Sequence, residues 1–170
     1  MIIAIGGVSN SGKSALAAAI QEVFHQDNLV VLCQDDFTVA PENMPKIAGR
    51  PDWEHPSSID HTRFRQSILK HHSEGKTVIA EGLMVFHDTE TGKLFDRCIF
   101  IEISEDCFLS RKKADLRWGA EPDWYIRHIW ENYLNFGLPK GISIPLLRIN
   151  GEFEPDFNTI ISYLNNGTLD

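Results

Sequence analysis

The sequence has few cysteines and no long apolar run. Its three cysteines, Cys33, Cys98 and Cys107, are widely spaced, which is typical of neither a disulfide framework nor a zinc site. We therefore expect reduced, buried thiols in a cytoplasmic protein. No segment approaches the roughly 18 consecutive apolar residues of a membrane-spanning helix, and the N-terminal apolar run is too short for a signal peptide.

The sequence also lacks an excess of positive charge. It has 16 Lys and Arg residues against 24 Asp and Glu residues, a formal net charge of −8, which argues against nucleic acid and anionic membranes as partners. Its 170 residues, 42% of them hydrophobic, are enough for a sizeable core, so we expect a single domain over residues 1–170. The oligomeric state stays open.

The stretch GGVSNSGKSALAAAI, residues 6–20, carries the strongest functional signal. Its glycines and its Gly-Lys-Ser fit the pattern G-x-x-x-x-G-K-[ST] between the apolar run 2–5 and a run of helix formers. Such a loop surrounds an anion with backbone N–H groups, and the next helix adds its positive end. The alternative is an ordinary polar turn. We predict that Lys13 binds the β- and γ-phosphates, that Ser14 ligates Mg²⁺, and that the nucleotide site comprises Gly7, Asn10, Ser11, Gly12, Lys13, Ser14 and Ala15.

Short apolar strands alternate with helical patterns along the chain. The pattern predicts strands at 2–5, 29–33, 77–80, 98–103 and about 144–149, and helices at 13–25, 60–73, 105–116, 123–136 and 155–165. Nearly continuous apolar strands are typical of a parallel sheet covered on both faces, so we expect a doubly wound α/β fold. The Pro-rich stretch 41–56 lacks periodicity and is too long for a plain connection, which favours a binding loop.

Carboxylates follow two of the predicted strands. Asp35 and Asp36 come directly after 29–33, and Glu81 follows 77–80. Ligands of such sheets bind beyond the carboxyl ends of the strands, where a carboxylate can accept a hydroxyl proton or hold a metal ion. The alternatives are turn or N-cap aspartates and a solvated strand-end glutamate. Because adjacent carboxylates would repel a nucleotide unless a metal ion or substrate lay between them, we favour function for at least one aspartate.

The segment SRKKADLR concentrates four cations within seven residues: Arg111, Lys112, Lys113 and Arg117. Such a cluster is either a solvated helix face or a mobile lid whose cations close over a transferred phosphoryl group. We place the lid at about 108–124 and the acceptor-binding loop at about 36–59.

Six segments, GGVSNSGKS, QDDF, DWEHPSSID, EGLMVF, SRKKADLR and WYIRHIWENYL, together resemble the uridine kinase-like branch of phosphate-loop kinases. They look closest to nicotinamide riboside kinases, and the likeness runs in order from residue 1 to about 160. It implies a three-layer α/β fold: a five-stranded parallel sheet with helices on both faces and a short lid. It also implies that ATP and Mg²⁺ are used to phosphorylate the 5′-hydroxyl of a ribonucleoside. Nicotinamide riboside, converted to its mononucleotide in NAD salvage, is the first candidate, and uridine or cytidine is the alternative.

The same resemblance implies roles for the residues that follow the strands. Asp35 matches the general base, with Asp36 a weaker substrate contact, and Glu81 matches the magnesium-site glutamate. Glu54 takes the position of a ribose-binding aspartate but is one methylene longer. Trp53, just before it, matches the aromatic residue that stacks on the nicotinamide ring.

Lid roles are implied as well. Arg111 matches an arginine that acts in catalysis, together with Lys13 and Asp35, and also reaches the substrate. Arg117 and Trp118 are approximate equivalents of a second lid arginine and a second stacking aromatic residue.

A nucleotide-dependent switch is the alternative from another class. It would keep the phosphate loop, transfer nothing to a small acceptor and have no need of Asp35. The combination of Asp35, Glu54 and Arg111 favours the kinase.

Overall fold

A five-stranded parallel sheet lies at the centre of the computed structural model, which describes residues 1–24, 28–117 and 119–166. In chain order the strands are β1 (Ile2–Gly7), β2 (Leu29–Cys33), β3 (Lys46–Ile47), β4 (Arg50–Pro51), β5 (Thr77–Gly82), β6 (Arg97–Glu102) and β7 (Leu146–Asn150). The sheet has the order β2-β5-β1-β6-β7, and β3 pairs with β4 in a separate antiparallel hairpin. All five predicted strands are confirmed to within two residues at each end.

The helices are α1 (Lys13–Phe24), α2 (His61–Ser73), α3 (Thr89–Gly92), α4 (Glu105–Ala114), α5 (Asp123–Asn132) and α6 (Phe157–Asn166). The sequence pattern missed α3, because four residues are too few to show a helical period. The helix predicted over 123–136 ends at Asn132 and continues as a wider π-helical turn, Tyr133–Gly137.

Both faces of the sheet are covered, as the apolar strands predict. In β1, Ile2 and Ala4 join the core beneath α2, α4 and α5, whereas Ile3 and Ile5 join the core beneath α1 and α6. Successive strand residues point to opposite faces, so a strand buried on both sides is apolar throughout. The predicted three-layer α/β fold is confirmed.

The Pro-rich stretch 41–56 is more ordered than its sequence suggests. It contains the β3–β4 hairpin, whose two-residue strands are too short to leave a sequence signal. The loop closes on itself near β2, where the Val39 N–H donates to the Ser58 carbonyl at 2.9 Å and the Asp60 N–H donates to the Phe37 carbonyl at 2.7 Å. Its ends are therefore pinned beside Asp35 and Asp36.

The cysteines are free thiols, as expected. Cys98 is buried, but Cys33 and Cys107 are only partly buried, so the expectation of full burial was wrong for those two. None of the helices in the described ranges is long and apolar enough to cross a membrane.

Candidate active site

The loop between β1 and α1 has the backbone shape of an anion cradle. Gly12 has φ 103° and Asn10 has φ 61°, conformations that turn successive N–H groups in one direction. A Cβ at Gly7 would lie 2.6 Å from the Ile101 carbonyl oxygen, so only glycine fits there. The Lys13 ammonium donates to the Val8 carbonyl at 2.9 Å, which holds the cation over the loop.

A cavity of about 540 Å³ opens above this loop. Its charged lining consists of three cations, Lys13, Arg111 and Arg117, and one carboxylate, Asp115. In a protein with net charge −8, this local positive excess suits a polyphosphate. The complete lining is Asn10, Gly12, Lys13, Ser14, Ala15, Arg111, Ala114, Asp115 and Arg117.

Ser14 and Glu81 meet beside the phosphate loop. The Ser14 hydroxyl donates to Glu81 Oε1 at 2.7 Å, and Glu81 is only 3% exposed. The two residues come together because β1 and β5 are neighbours in register, with Ile5 opposite Glu81. Hydroxyl and carboxylate oxygens suit Mg²⁺, which typically takes one or two protein ligands and completes its shell with phosphates and water. Within the described residues, no group of three or more His, Cys, Asp or Glu side chains could hold a metal ion. An ion at Ser14 and Glu81 would therefore depend on phosphate and water ligands as well.

Asp35 lies between the nucleotide side and a second group of charges. It belongs to the 3₁₀ turn Gln34–Phe37, directly after β2. Asp35 is exposed, but desolvation by neighbouring protein atoms raises its pKa, Glu81 and Asp36 raise the pKa further, and Lys13 and Lys112 oppose them. Asp35 is therefore within electrostatic range of both Lys13 of the phosphate loop and Lys112 of α4.

The position of this turn is set by a buried contact between strand ends. Gln34 is 2% exposed, and its side-chain oxygen accepts from the Met84 N–H at 3.1 Å. A Cβ at Gly82 would lie 2.5 Å from the Gln34 Cβ. The glycine after Glu81 thus allows the ends of β2 and β5 to approach closely, which brings Asp35 towards Glu81.

Asp36 is held through its backbone. Its carbonyl oxygen accepts from Arg63 Nη2 at 3.0 Å, and the Arg63 guanidinium lies 5.3 Å from the centre of the Phe37 ring. These contacts stabilise the turn but involve the main chain, so the predicted substrate contact of the Asp36 carboxylate stays a prediction.

Glu54 belongs to the second group of charges. It is partly buried, and burial raises its pKa to about 7, with Asp35, Asp52 and Glu121 adding to the increase and Lys112 opposing it. The carboxylates that influence one another around Glu54 are therefore four, against a single lysine: Asp35, Asp52, Glu54 and Glu121, with Lys112. The predicted acceptor acid lies within electrostatic reach of the predicted base.

The raised pKa of Glu54 makes stability depend on pH. Between its ordinary value of 4.5 and about 7, this carboxyl binds more protons in the folded than in the unfolded chain, so the free energy of unfolding falls as pH rises. Glu54→Gln should remove this contribution. Above pH 7 the variant should be more stable than wild type by on the order of 1–3 kcal/mol.

Urea unfolding of both proteins from about pH 4.5 to 8 measures this difference. Glu42→Gln, which replaces an exposed glutamate of the same loop, is the matched control and should follow the wild-type curve. A Glu54→Gln curve parallel to wild type at every pH would contradict the environment described for Glu54.

Lys112 is a site residue that the sequence analysis did not single out from the basic cluster. It is 7% exposed, and its ammonium lies 2.9 Å from the Glu121 carboxylate. The sequence signal that could have predicted the burial of Lys112 is its spacing from Phe108. Residues four apart share a helix face, and Phe108 is fully buried. Lys112 follows Phe108 into the protein and reaches the acceptor carboxylates.

Arg111 faces the nucleotide side. Its guanidinium donates to the Asn10 carbonyl at 3.2 Å and to the Gly151 carbonyl at 2.8 Å. The structure therefore brings Arg111 to the phosphate loop and Lys112 to Glu121 and the carboxylates around Glu54, whereas the resemblance assigned both tasks to Arg111. A contact between Arg111 and the acceptor stays a prediction.

Two further residues of the predicted lid, Asp115 and Arg117, line the cavity. Asp115 accepts from Asn10 Nδ2 at 3.0 Å and from Arg117 Nη2 at 2.6 Å, and these hydrogen bonds hold the pKa of Asp115 well below its usual range. Arg117 is thus paired with a carboxylate beside the phosphate site. Trp53 is 46% exposed, while Trp118 lies outside the described residues.

The chain is similar in sequence to curated uridine kinases. No protein-family model matches the chain. It is 25% identical to uridine-cytidine kinase 2-B of Danio rerio, over 81% of this chain and 65% of the relative, and 27% identical to a uridine kinase of Chlamydia pneumoniae, over 62% and 59%. The chain thus spans about three-fifths of the length of these relatives. Both names agree with the predicted phosphotransferase class and the uridine kinase-like branch, and neither mentions nicotinamide riboside.

The fold has counterparts among solved structures. A sugar kinase from Janibacter sp. superposes with a TM-score of 0.64 over 96% of this chain and 94% of that one, at 13% identity. At that identity the likeness shows the fold alone, which is the α/β kinase fold predicted from the sequence.

Proposed function

We propose that the protein transfers the γ-phosphoryl group of ATP to the 5′-hydroxyl of a ribonucleoside. The observation that carries this proposal is the placement of Asp35 directly after β2, at the sheet edge where Cys33 lies opposite Glu81 and Glu81 meets Ser14 of the phosphate loop. A phosphate site alone would serve many nucleotide-binding proteins. A carboxylate between that site and a second polar site suits transfer to a hydroxyl.

The proposed step is a direct displacement at phosphorus. The nucleoside 5′-oxygen forms a bond to the γ-phosphorus, the bond from that phosphorus to the β,γ-bridging oxygen breaks, and ADP leaves with the electron pair. Asp35 accepts the hydroxyl proton. Lys13 and Arg111 stabilise the charge that spreads over the transferred group.

Ser14 and Glu81 are the residues that would hold Mg²⁺. The ion would supply positive charge that offsets the negative charge of the phosphates. Glu81 is buried, and its carboxylate accepts a hydrogen bond from the Ser14 hydroxyl. These two constraints keep one carboxylate oxygen beside Ser14, which lines the phosphate cavity.

Nicotinamide riboside is our first candidate for the acceptor. Its pyridinium ring is cationic, and the acceptor side offers four carboxylates against one lysine with the exposed ring of Trp53 nearby in sequence. Cations are attracted both to carboxylates and to aromatic faces. Uridine or cytidine is the second candidate, favoured by the names of the relatives.

A panel of nucleosides tests the proposal. ADP formation should depend on an added ribonucleoside, and kcat/KM should be higher for nicotinamide riboside than for uridine or cytidine. A preference for uridine would contradict nicotinamide riboside as the acceptor but would support the proposed nucleoside kinase activity. ADP formation that no nucleoside stimulates would contradict the proposal and favour the switch.

Trp53→Ala tests the stacking role of the exposed indole. Stacking of a base on an aromatic ring contributes roughly 1–3 kcal/mol, so the KM for the nucleoside should rise about tenfold or more while the KM for ATP changes little. Trp124→Ala, which removes another exposed indole, is the control. An unchanged nucleoside KM would show that Trp53 only packs within its loop.

A further inference from the structure

Asp52 is a buried carboxylate just before Trp53 and Glu54. It is 5% exposed, and its Oδ1 accepts from the backbone N–H of Glu54 at 3.1 Å and lies 2.9 Å from Nε2 of His128. Its backbone is held too, because its N–H donates to the Pro45 carbonyl at 2.7 Å. One oxygen of Asp52 thus joins the acceptor loop to α5.

The partner of Asp52 is oriented in turn by Asn132. Because an ionised carboxylate only accepts hydrogen bonds, the hydrogen between Asp52 and His128 belongs to Nε2. The Asn132 amide nitrogen lies 3.2 Å from Nδ1 and 2.8 Å from Nε2. An amide this close to both ring nitrogens packs against the imidazole ring itself, so Asn132 restricts where the ring can lie beside Asp52.

The side chains of α5 that make these contacts lie on one helix face. Tyr125, His128 and Asn132 are spaced three and four residues apart, so they form a polar stripe. Burial raises the pKa of the Tyr125 hydroxyl, and the carboxylates of Glu54 and Asp52 raise it further. Asn132 is only 7% exposed. Buried polar side chains of this kind are costly unless they are paired, so their arrangement favours a single geometry.

We infer that His128 is a positioning residue for the nucleoside site: through Asp52 it holds Trp53 and Glu54 in the orientation in which they meet the acceptor. This inference rests on the proposed function for its kinetic consequence only. The acceptor acid is part of an otherwise irregular loop, and α5 supplies the rigid element that such a site needs.

His128→Ala removes the donor to Asp52 and tests the inference. A hydrogen bond to a charged group is worth about 1.5–3 kcal/mol, so the nucleoside KM should rise about 10- to 100-fold. The ATP KM and kcat should stay within about threefold of wild type. His128→Gln, whose amide nitrogen can reach the place of Nε2, should restore most of the nucleoside affinity. Arg127→Ala, at the neighbouring exposed position of α5, is the matched control.

Hydrogen exchange gives a second readout that needs no catalysis. In His128→Ala, peptides covering residues 46–56 should exchange faster than in wild type, and His128→Gln should return them towards the wild-type rate. An unchanged nucleoside KM with unchanged exchange would overturn the inference. An equal rise in the KM for the nucleoside and the KM for ATP in His128→Ala, with no recovery in His128→Gln, would also overturn the inference. If wild type phosphorylates no nucleoside, the proposed function fails, and exchange alone decides the role of His128.

Discussion

Asp35→Asn is expected to lower the turnover number by on the order of 10²–10⁴, the usual contribution of general acid–base catalysis. The amide keeps the shape of the side chain but cannot take the 5′-hydroxyl proton. ATP binding should survive, because the phosphate loop and the Ser14–Glu81 pair are untouched. Steady-state kinetics and ATP affinity, measured on the same preparation, check both parts.

Asp36→Asn is the matched control for this change. The contact of Asp36 that the structure shows uses its backbone carbonyl, which accepts from Arg63, so loss of its charge should cost less than loss of the Asp35 charge. A larger effect at Asp36 would mean that the base is assigned one residue too early. If neither variant lost activity, the mechanism proposed above would be wrong.

Lys13→Ala is expected to have the other large effect. The variant loses a positive charge at the phosphate loop, where a preorganised partner for developing charge contributes about 10²–10³ in kcat. ATP affinity should fall as well, because the ammonium interacts with the phosphates in the ground state. Lys113→Ala provides the control: this lysine of α4 is 59% exposed and pairs with Asp123.

Measuring kcat and the KM for ATP in Lys13→Ala and Lys113→Ala distinguishes the two lysines. Lys113→Ala should remain within about twofold of wild type, since exposed ion pairs contribute 0–1 kcal/mol. Wild-type turnover in Lys13→Ala would show that the phosphate loop does not contribute to phosphoryl transfer.

The sheet and the phosphate site could be predicted because their signals are local. Strands such as Ile2–Gly7 are apolar throughout since both faces are buried, and the Gly7–Ser14 spacing places Lys13 and Ser14 relative to one another without tertiary information. The position of Glu81 at the sheet edge beside the phosphate loop could be predicted as well, because parallel neighbours end at the same edge of a sheet; its magnesium role stays a prediction.

The acceptor side could be predicted only in part. Lys112 and Arg111 are adjacent in the sequence, and only the packing of α4 through Phe108 decides which of them points to the carboxylates. The contact between Asp52 and His128 joins residues 76 positions apart, and no local pattern indicates such a pair. Gln34 is similar, since its burial depends on Gly82 in a neighbouring strand.

The identity of the phosphorylated product decides whether the protein is a nucleoside kinase. Wild-type protein, ATP, Mg²⁺ and a nucleoside are incubated together, and the product is examined by mass spectrometry and phosphorus NMR. We expect one equivalent of nucleoside 5′-monophosphate for each ADP formed, with nicotinamide riboside the best acceptor. Release of inorganic phosphate at a rate that no nucleoside changes, without a phosphorylated nucleoside, would contradict it.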